Sequence, residues 1–264
     1  MRGWGKVLGF LFGIMLTRHI IGGLIGLWIG HRFDKGAGGD FNAFNRSKEE
    51  SRQAAFFYCT FSTMGYMAKA NGRVSEKEIA FATAYMNKLG LQAELRQQAQ
   101  EAFREGKKAD FPLEERLKKF KKACAGRYDL ILLFLEIQIQ VAYADGDIEP
   151  AERKALHTIA GVFGLSKNEL DKLLEMISAG ANFNQQSGQR HANSELQLEN
   201  AHKVLGVKPS DSDQQIKKAH RKLMAQHHPD KLVAKGLPPE MMTIAKQKAQ
   251  DIQAAYELIK KNRD

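Results

Sequence analysis

Residues 210–232 read SDSDQQIKKAHRKLMAQHHPDKL. The apolar residues Ile216, Ala219, Leu223 and Met224 recur at helical spacing, so they mark one buried stripe of a helix. Lys217, Lys218, Arg221 and Lys222 fall together away from that stripe and make the outer face basic. Pro229 cannot continue the helix and disfavours helical geometry at the residue before it. The run therefore predicts a basic helix that ends in a loop presenting His228, Pro229 and Asp230.

The flanking helices complete a small unit over 197–264. The stretch LQLENAHKVLGVKPSDSD (196–213) puts Leu198, Ala201 and Leu205 on one face and stops at Gly206. After a long loop containing GLPPEMM, a last helix carries Ala245, Ala249, Ile252, Ala255, Tyr256 and Ile259 at helical spacing. The basic helix and the last helix are expected to form an antiparallel pair with residues 228–230 at its open end. A unit of this size lies near the lower limit for folding unaided. The preceding text, AGANFNQQSGQRHANSE (179–195), is polar and poor in aliphatics, which predicts a flexible linker over 179–196.

Upstream, 47–178 shows helical periodicity with no competing strand alternation, and it contains a near-repeat offset by 74 residues. Ala68, Ala70, Gly72, Val74 and Glu78 correspond to Ala142, Ala144, Gly146, Ile148 and Glu152; Gly90 and Leu91 correspond to Gly164 and Leu165. Each copy reads as a helix, a glycine turn and a new helix with carboxylates in its first turn, where the helix dipole favours them. The fold class is therefore all-α, with a bundle of paired helices here. In YADGDIEPAE, the carboxylates Asp145, Asp147, Glu149 and Glu152 offer oxygen ligands for a divalent cation, or else ordinary helix caps. An EF-hand loop needs glycine at position six and glutamate at twelve, whereas Gly146 directly follows Asp145. The first copy carries Asn71 and Arg73 in place of Asp145 and Asp147, which favours capping.

Residues 7–29, VLGFLFGIMLTRHIIGGLIGLWI, are apolar apart from Thr17, Arg18 and His19 and long enough to cross a bilayer. We read 1–30 as a transmembrane anchor and 31–46, with its KGAGGD, as a juxtamembrane linker. A signal peptide would have a shorter apolar region and an A-x-A-like cleavage site. Arg18 at mid-span costs about 2.5–3.5 kcal/mol if it faces lipid. Gly5, Gly9 and Gly13, and likewise Gly22, Gly26 and Gly30, are spaced by four, the small-residue pattern that lets membrane helices approach closely, so a homodimer through this helix is expected. Arg2 and Lys6 precede the span, while Arg32, Lys35, Arg46 and Lys48 follow it, which places the bulk of the chain in the cytoplasm.

The formal charge of +10 over 264 residues attracts an acidic partner without choosing between nucleic acid, anionic lipid and protein. Cys59 and Cys124 lack paired spacing and read as reduced core residues.

Four elements in order, VLGV (204–207), IKKAHRKL (216–223), HPDK (228–231) and IQAAYELI (252–259), resemble a J domain, the DnaJ signature. With the anchor and a TerB-like helical middle region, nearly the whole chain resembles the DjlA-type membrane-anchored co-chaperones; FLEIQIQ (134–140) and HHPDKLVAKGLPPEMM (227–242) are especially similar. His220 departs from a common tyrosine and Ala249 from a common phenylalanine, so a repacked core is expected there. The resemblance implies a stress-response co-chaperone that hydrolyses nothing itself and needs no cofactor. Its J domain would stimulate ATP hydrolysis by a DnaK-type chaperone through His228, Pro229 and Asp230, steered by Lys217, Lys218, Arg221 and Lys222. It further implies unfolded or specific client proteins, contact with lipid, and a single-pass protein of the bacterial inner membrane with a short periplasmic N-terminus.

Other readings have less support. A metal site at His227, His228 and Asp230 lacks a cysteine or further histidine nearby to complete a tetrahedral set. No nucleophile or phosphate-cradling loop accompanies these residues, which argues against catalysis. Nucleic-acid binding through the basic helix would not require HPD. A membrane scaffold whose TerB-like domain binds a protein or divalent metal stands as the alternative function.

Overall fold

The helix that the first quoted run predicts spans Asp213–His227 and is opened by a capping box, in which the Ser212 side chain accepts from the Gln215 amide and the Gln215 side chain accepts from the Ser212 amide. In the computed structural model, residues 48–70, 72, 76–143, 146, 148–187 and 194–263 are described. The anchor reading, Arg18 and the six spaced glycines lie outside them. Among the described residues no helix is long and apolar enough to cross a membrane, and none forms a strand.

Among the described residues, seven helices form the bundle: α1 (Lys48–Met67), α2 (Glu76–Lys88), α3 (Ala93–Gly106), α4 (Leu113–Cys124), α5 (Tyr128–Ala142), α6 (Pro150–Phe163) and α7 (Lys167–Ser187). Its centre is α5, whose YDLILLFLEIQIQVA is buried nearly all round, as expected of a helix apolar on every face. Phe56 of α1, Phe120 of α4, Phe134 of α5 and Phe163 of α6 meet there, with ring centroids 5.0–6.4 Å apart and mostly edge to face. Cys59 and Cys124 are free and buried, and burial pushes each thiol up to about 12.

The near-repeat survives in the backbone: Gly72 and Gly146 have φ of 93° and 111°, and Gly90 and Gly164 have φ of 63° and 86°. These left-handed turns are where glycine costs least. Glu149 and Glu152 form the capping box of α6 behind Pro150 at its first position. Asp145 and Asp147 lie outside the described residues.

Four more helices follow: α8 (Ser194–Leu205), α9 (Asp213–His227), α10 (Pro229–Ala234) and, after a 3₁₀ turn at Pro239–Met241, α11 (Met242–Lys261). The start of α9 meets the end of α11, where Arg263 pairs with Asp213 at 2.9 Å, while His220 and Tyr256 stack midway at 4.2 Å; the two helices are antiparallel. His220 also meets Gln253 at 3.0 Å, so this face is closed by a stacked pair.

Two expectations change. Residues 179–187 continue α7 instead of forming linker, and Ala179 and Phe183 are buried in one cluster with Ala201, Val204, Leu205, Ile216, Ile252, Ala255 and Ile259. Two apolar residues four apart suffice when a neighbouring element supplies the rest of the core, although the composition of the window is polar. The tail of the bundle's last helix is thus part of the terminal core. The expected loop at 228–230 is a single extended residue, His228 (φ −63°, ψ 120°), after which Pro229 opens α10 at the first position, where its missing N–H costs nothing. The last helix begins at Met242, three residues before Ala245, the first of the apolar residues that signalled it.

Candidate functional site

Two helices meet at the His228 break. Proline both forces the extended backbone before it and starts the next helix, so the chain turns a corner within one residue. Asp230, in the first turn of α10, is exposed, whereas His228 and Pro229 are half-buried. The His228 Nδ1 is buried without a hydrogen-bond partner. Lys217, Lys218, Arg221 and Lys222 are all exposed on α9, and Lys231 is exposed beside the corner. The arrangement offers a basic face next to one projecting carboxylate. Among the described residues no group of three or more His, Cys, Asp or Glu side chains could hold a metal ion.

Sequence reasoning missed what lies behind the corner. His227 is 2% exposed and its Nε2 lies 3.5 Å from Glu136 Oε1 of α5; Lys248 of α11 brings its Nζ to 3.7 Å from Glu136 Oε2. Burial lowers the pKa of His227 below the ordinary histidine value, with Lys248 acting in the same direction and Glu136 against it. Arg52 of α1, also buried, donates from Nε to the Ala123 carbonyl at 3.0 Å and from Nη1 to the Lys235 carbonyl at 2.8 Å. Lys235 in turn pairs with Asp129 of α5. Gly236 lies so close that a Cβ there would stand 2.7 Å from Arg52 Cδ. The one signal in the sequence was the pair Glu136 and Gln138 in the middle of a largely apolar helix, which marks buried polar positions without naming their partners. Gln138 spends its amide on the Thr60 carbonyl at 3.3 Å.

Three family models match in chain order: the co-chaperone DjlA transmembrane domain over 1–46, tellurite resistance protein TerB over 59–175, and the DnaJ domain over 200–264. Among curated proteins, the co-chaperone protein DjlA of Photobacterium profundum is 51% identical over 274 residues, covering 98% of this chain and 99% of the relative. That of Yersinia pestis is 47% identical over 275 residues and that of Escherichia coli O157:H7 is 48% identical over 270, each covering 100% of this chain and 99% of the relative. No solved structure matches the chain.

Proposed function

The chain belongs to the DjlA family of membrane-anchored, DnaJ-type co-chaperones, and from that membership we propose that its J domain docks on a DnaK-type chaperone and stimulates ATP hydrolysis there. The observation that carries the reading is the corner itself: an exposed Asp230 beside an exposed basic face of Lys217, Lys218, Arg221 and Lys222. In this reading the cations steer the encounter with an acidic patch on the ATPase, so the contact weakens as salt rises. Asp230 accepts charge-assisted hydrogen bonds from the partner. Pro229 fixes the backbone at the corner, so less ordering entropy is lost on docking. The chain performs no hydrolysis itself; it hands unfolded or specific client proteins to the chaperone that it activates.

The same reading takes 1–30 as a single span of the inner membrane, with a short periplasmic N-terminus and the body in the cytoplasm. The loop-charge asymmetry supports this topology, and the glycine spacing supports a homodimer through the span.

The test is single-turnover ATP hydrolysis by a cognate DnaK-type chaperone with the full chain in detergent micelles. Wild type should accelerate hydrolysis and His228→Gln should not. Replacing Lys217, Lys218, Arg221 and Lys222 by glutamine should raise the concentration needed and flatten its salt dependence. A wild-type chain without effect, or a His228→Gln chain as active as wild type, would sink the proposal.

A further inference from the structure

A buried carboxylate in a largely apolar helix is a poor way to gain stability, because desolvation offsets its ion pairs; fixing one arrangement of the surrounding chain is its best-attested use. Glu136 reaches two groups at once: His227, the residue just before the corner, and Lys248, on the helix antiparallel to α9. One side chain of the TerB-like bundle thus holds both helices of the J domain's central pair. Two further ties grip the far side of the corner, Arg52 through the Lys235 carbonyl and Asp129 through the Lys235 ammonium. All three fall on residues that bracket 228–230 or on the helix facing them. None covers the proposed docking surface, since Asp230 and the basic face of α9 remain exposed. The clamp therefore positions the corner and does not occlude it.

We propose that Glu136, Arg52 and Asp129 of the TerB-like bundle are positioning residues for the His228-Pro229-Asp230 corner, so that the unit engaging the chaperone is the J domain together with the bundle. This rests on the co-chaperone reading above. Its quantitative signature is specific. Releasing the clamp lets the corner leave the competent geometry, and the apparent affinity falls by the fraction of time it remains competent, whereas the saturated complex is unchanged. A corner competent one-tenth of the time would raise the half-maximal co-chaperone concentration about tenfold and leave the maximal rate untouched.

The experiment titrates the full chain in detergent micelles against the chaperone in single-turnover hydrolysis, with amide hydrogen exchange on the same samples. Wild type and His228→Gln are run first: if wild type gives no stimulation, or His228→Gln stimulates as well as wild type, the co-chaperone reading fails and takes this inference with it. With that reading intact, Glu136→Gln should raise the half-maximal concentration about tenfold at unchanged maximum. Exchange should speed up at residues 230–237 and not in α1 or α4, and Glu136→Asp should recover most of the affinity. Asp129→Asn, a milder change at a partly accessible site, should shift the same parameter less and in the same direction. A Glu136→Gln titration curve that matches wild type would overturn the proposal. So would uniform acceleration of exchange through α1, α4 and α5 together with a reduced maximal rate, which is the mark of a merely structural role.

Discussion

Replacing Gly65 with alanine should damage the bundle far more than one added methyl group suggests. A Cβ on Gly65 of α1 would lie 2.0 Å from the Phe103 carbonyl oxygen of α3, and a Cβ on Gly106 would lie 1.8 Å from the Ser62 carbonyl oxygen of α1. Each glycine thus faces the carbonyl three residues before the other, so the two helix backbones touch with no side chain between them. Because both obstacles are backbone, no rotamer change relieves them. Ordinary contact begins at about 3.4 Å, so α1 and α3 must separate locally by about 1.4 Å. A gap of about 0.5–1 Å already forfeits a quarter to a half of the dispersion attraction across an interface. Phe61, Met64, Ala99, Ala102 and Phe103, all buried on these two helices, would feel that opening. We expect a loss of about 3 kcal/mol, at the upper end for overpacking, which lowers the Tm by about 6–12 °C for a unit of this length. Gly161→Ala supplies the control, since Gly161 sits in the last turn of α6, exposed, with nothing within 4 Å of where a Cβ would stand. There alanine should stabilise, by no more than the interior helix-propensity difference of about 0.8–1 kcal/mol. Scanning calorimetry of the full chain in detergent micelles would measure both. A Gly65→Ala transition within about 1 °C of wild type, or two variants shifting in the same direction, would refute the close-crossing argument.

Ser212→Ala removes the cap of α9 and should cost about 1 kcal/mol, with Ser212→Asp recovering it; amide exchange in the first turn of α9 and denaturant midpoints would register both. The stability of the unit should also fall in mild acid. The His227 pKa is lowered on folding, chiefly by burial, so the unfolded chain binds more protons here than the folded one as pH drops below the ordinary histidine value of 6.5. This contribution is fully present above pH 6.5 and is lost as pH falls from there through the depressed folded value. The groups facing the ring are Glu136 and Asp129 of α5 and Lys248 of α11. His227→Gln should flatten that limb of a stability-versus-pH curve, and an unchanged limb would place the titration elsewhere.

Features that depend on neighbours within one or two turns are legible along the chain. The HPD break, the basic stripe of α9, the glycine turns of the near-repeat and the carboxylate caps of α6 each follow from backbone sterics or from spacing along one helix. Even the departure at 228–230 is local, since Pro229 has two lawful uses, ending one helix or starting the next, and the chain takes both. Which residues stand behind the corner depends on how the helices pack. Glu136 is visibly out of place in an apolar helix, but nothing along the chain says that a histidine and a lysine from the J domain will meet it. Nor does helical periodicity reveal that Gly65 and Gly106 let two backbones touch, or that Phe183 belongs to the core of the following module. Each of these contacts joins segments far apart in sequence, where packing volume and the need to pair a buried charge select the partner and local propensity has no influence.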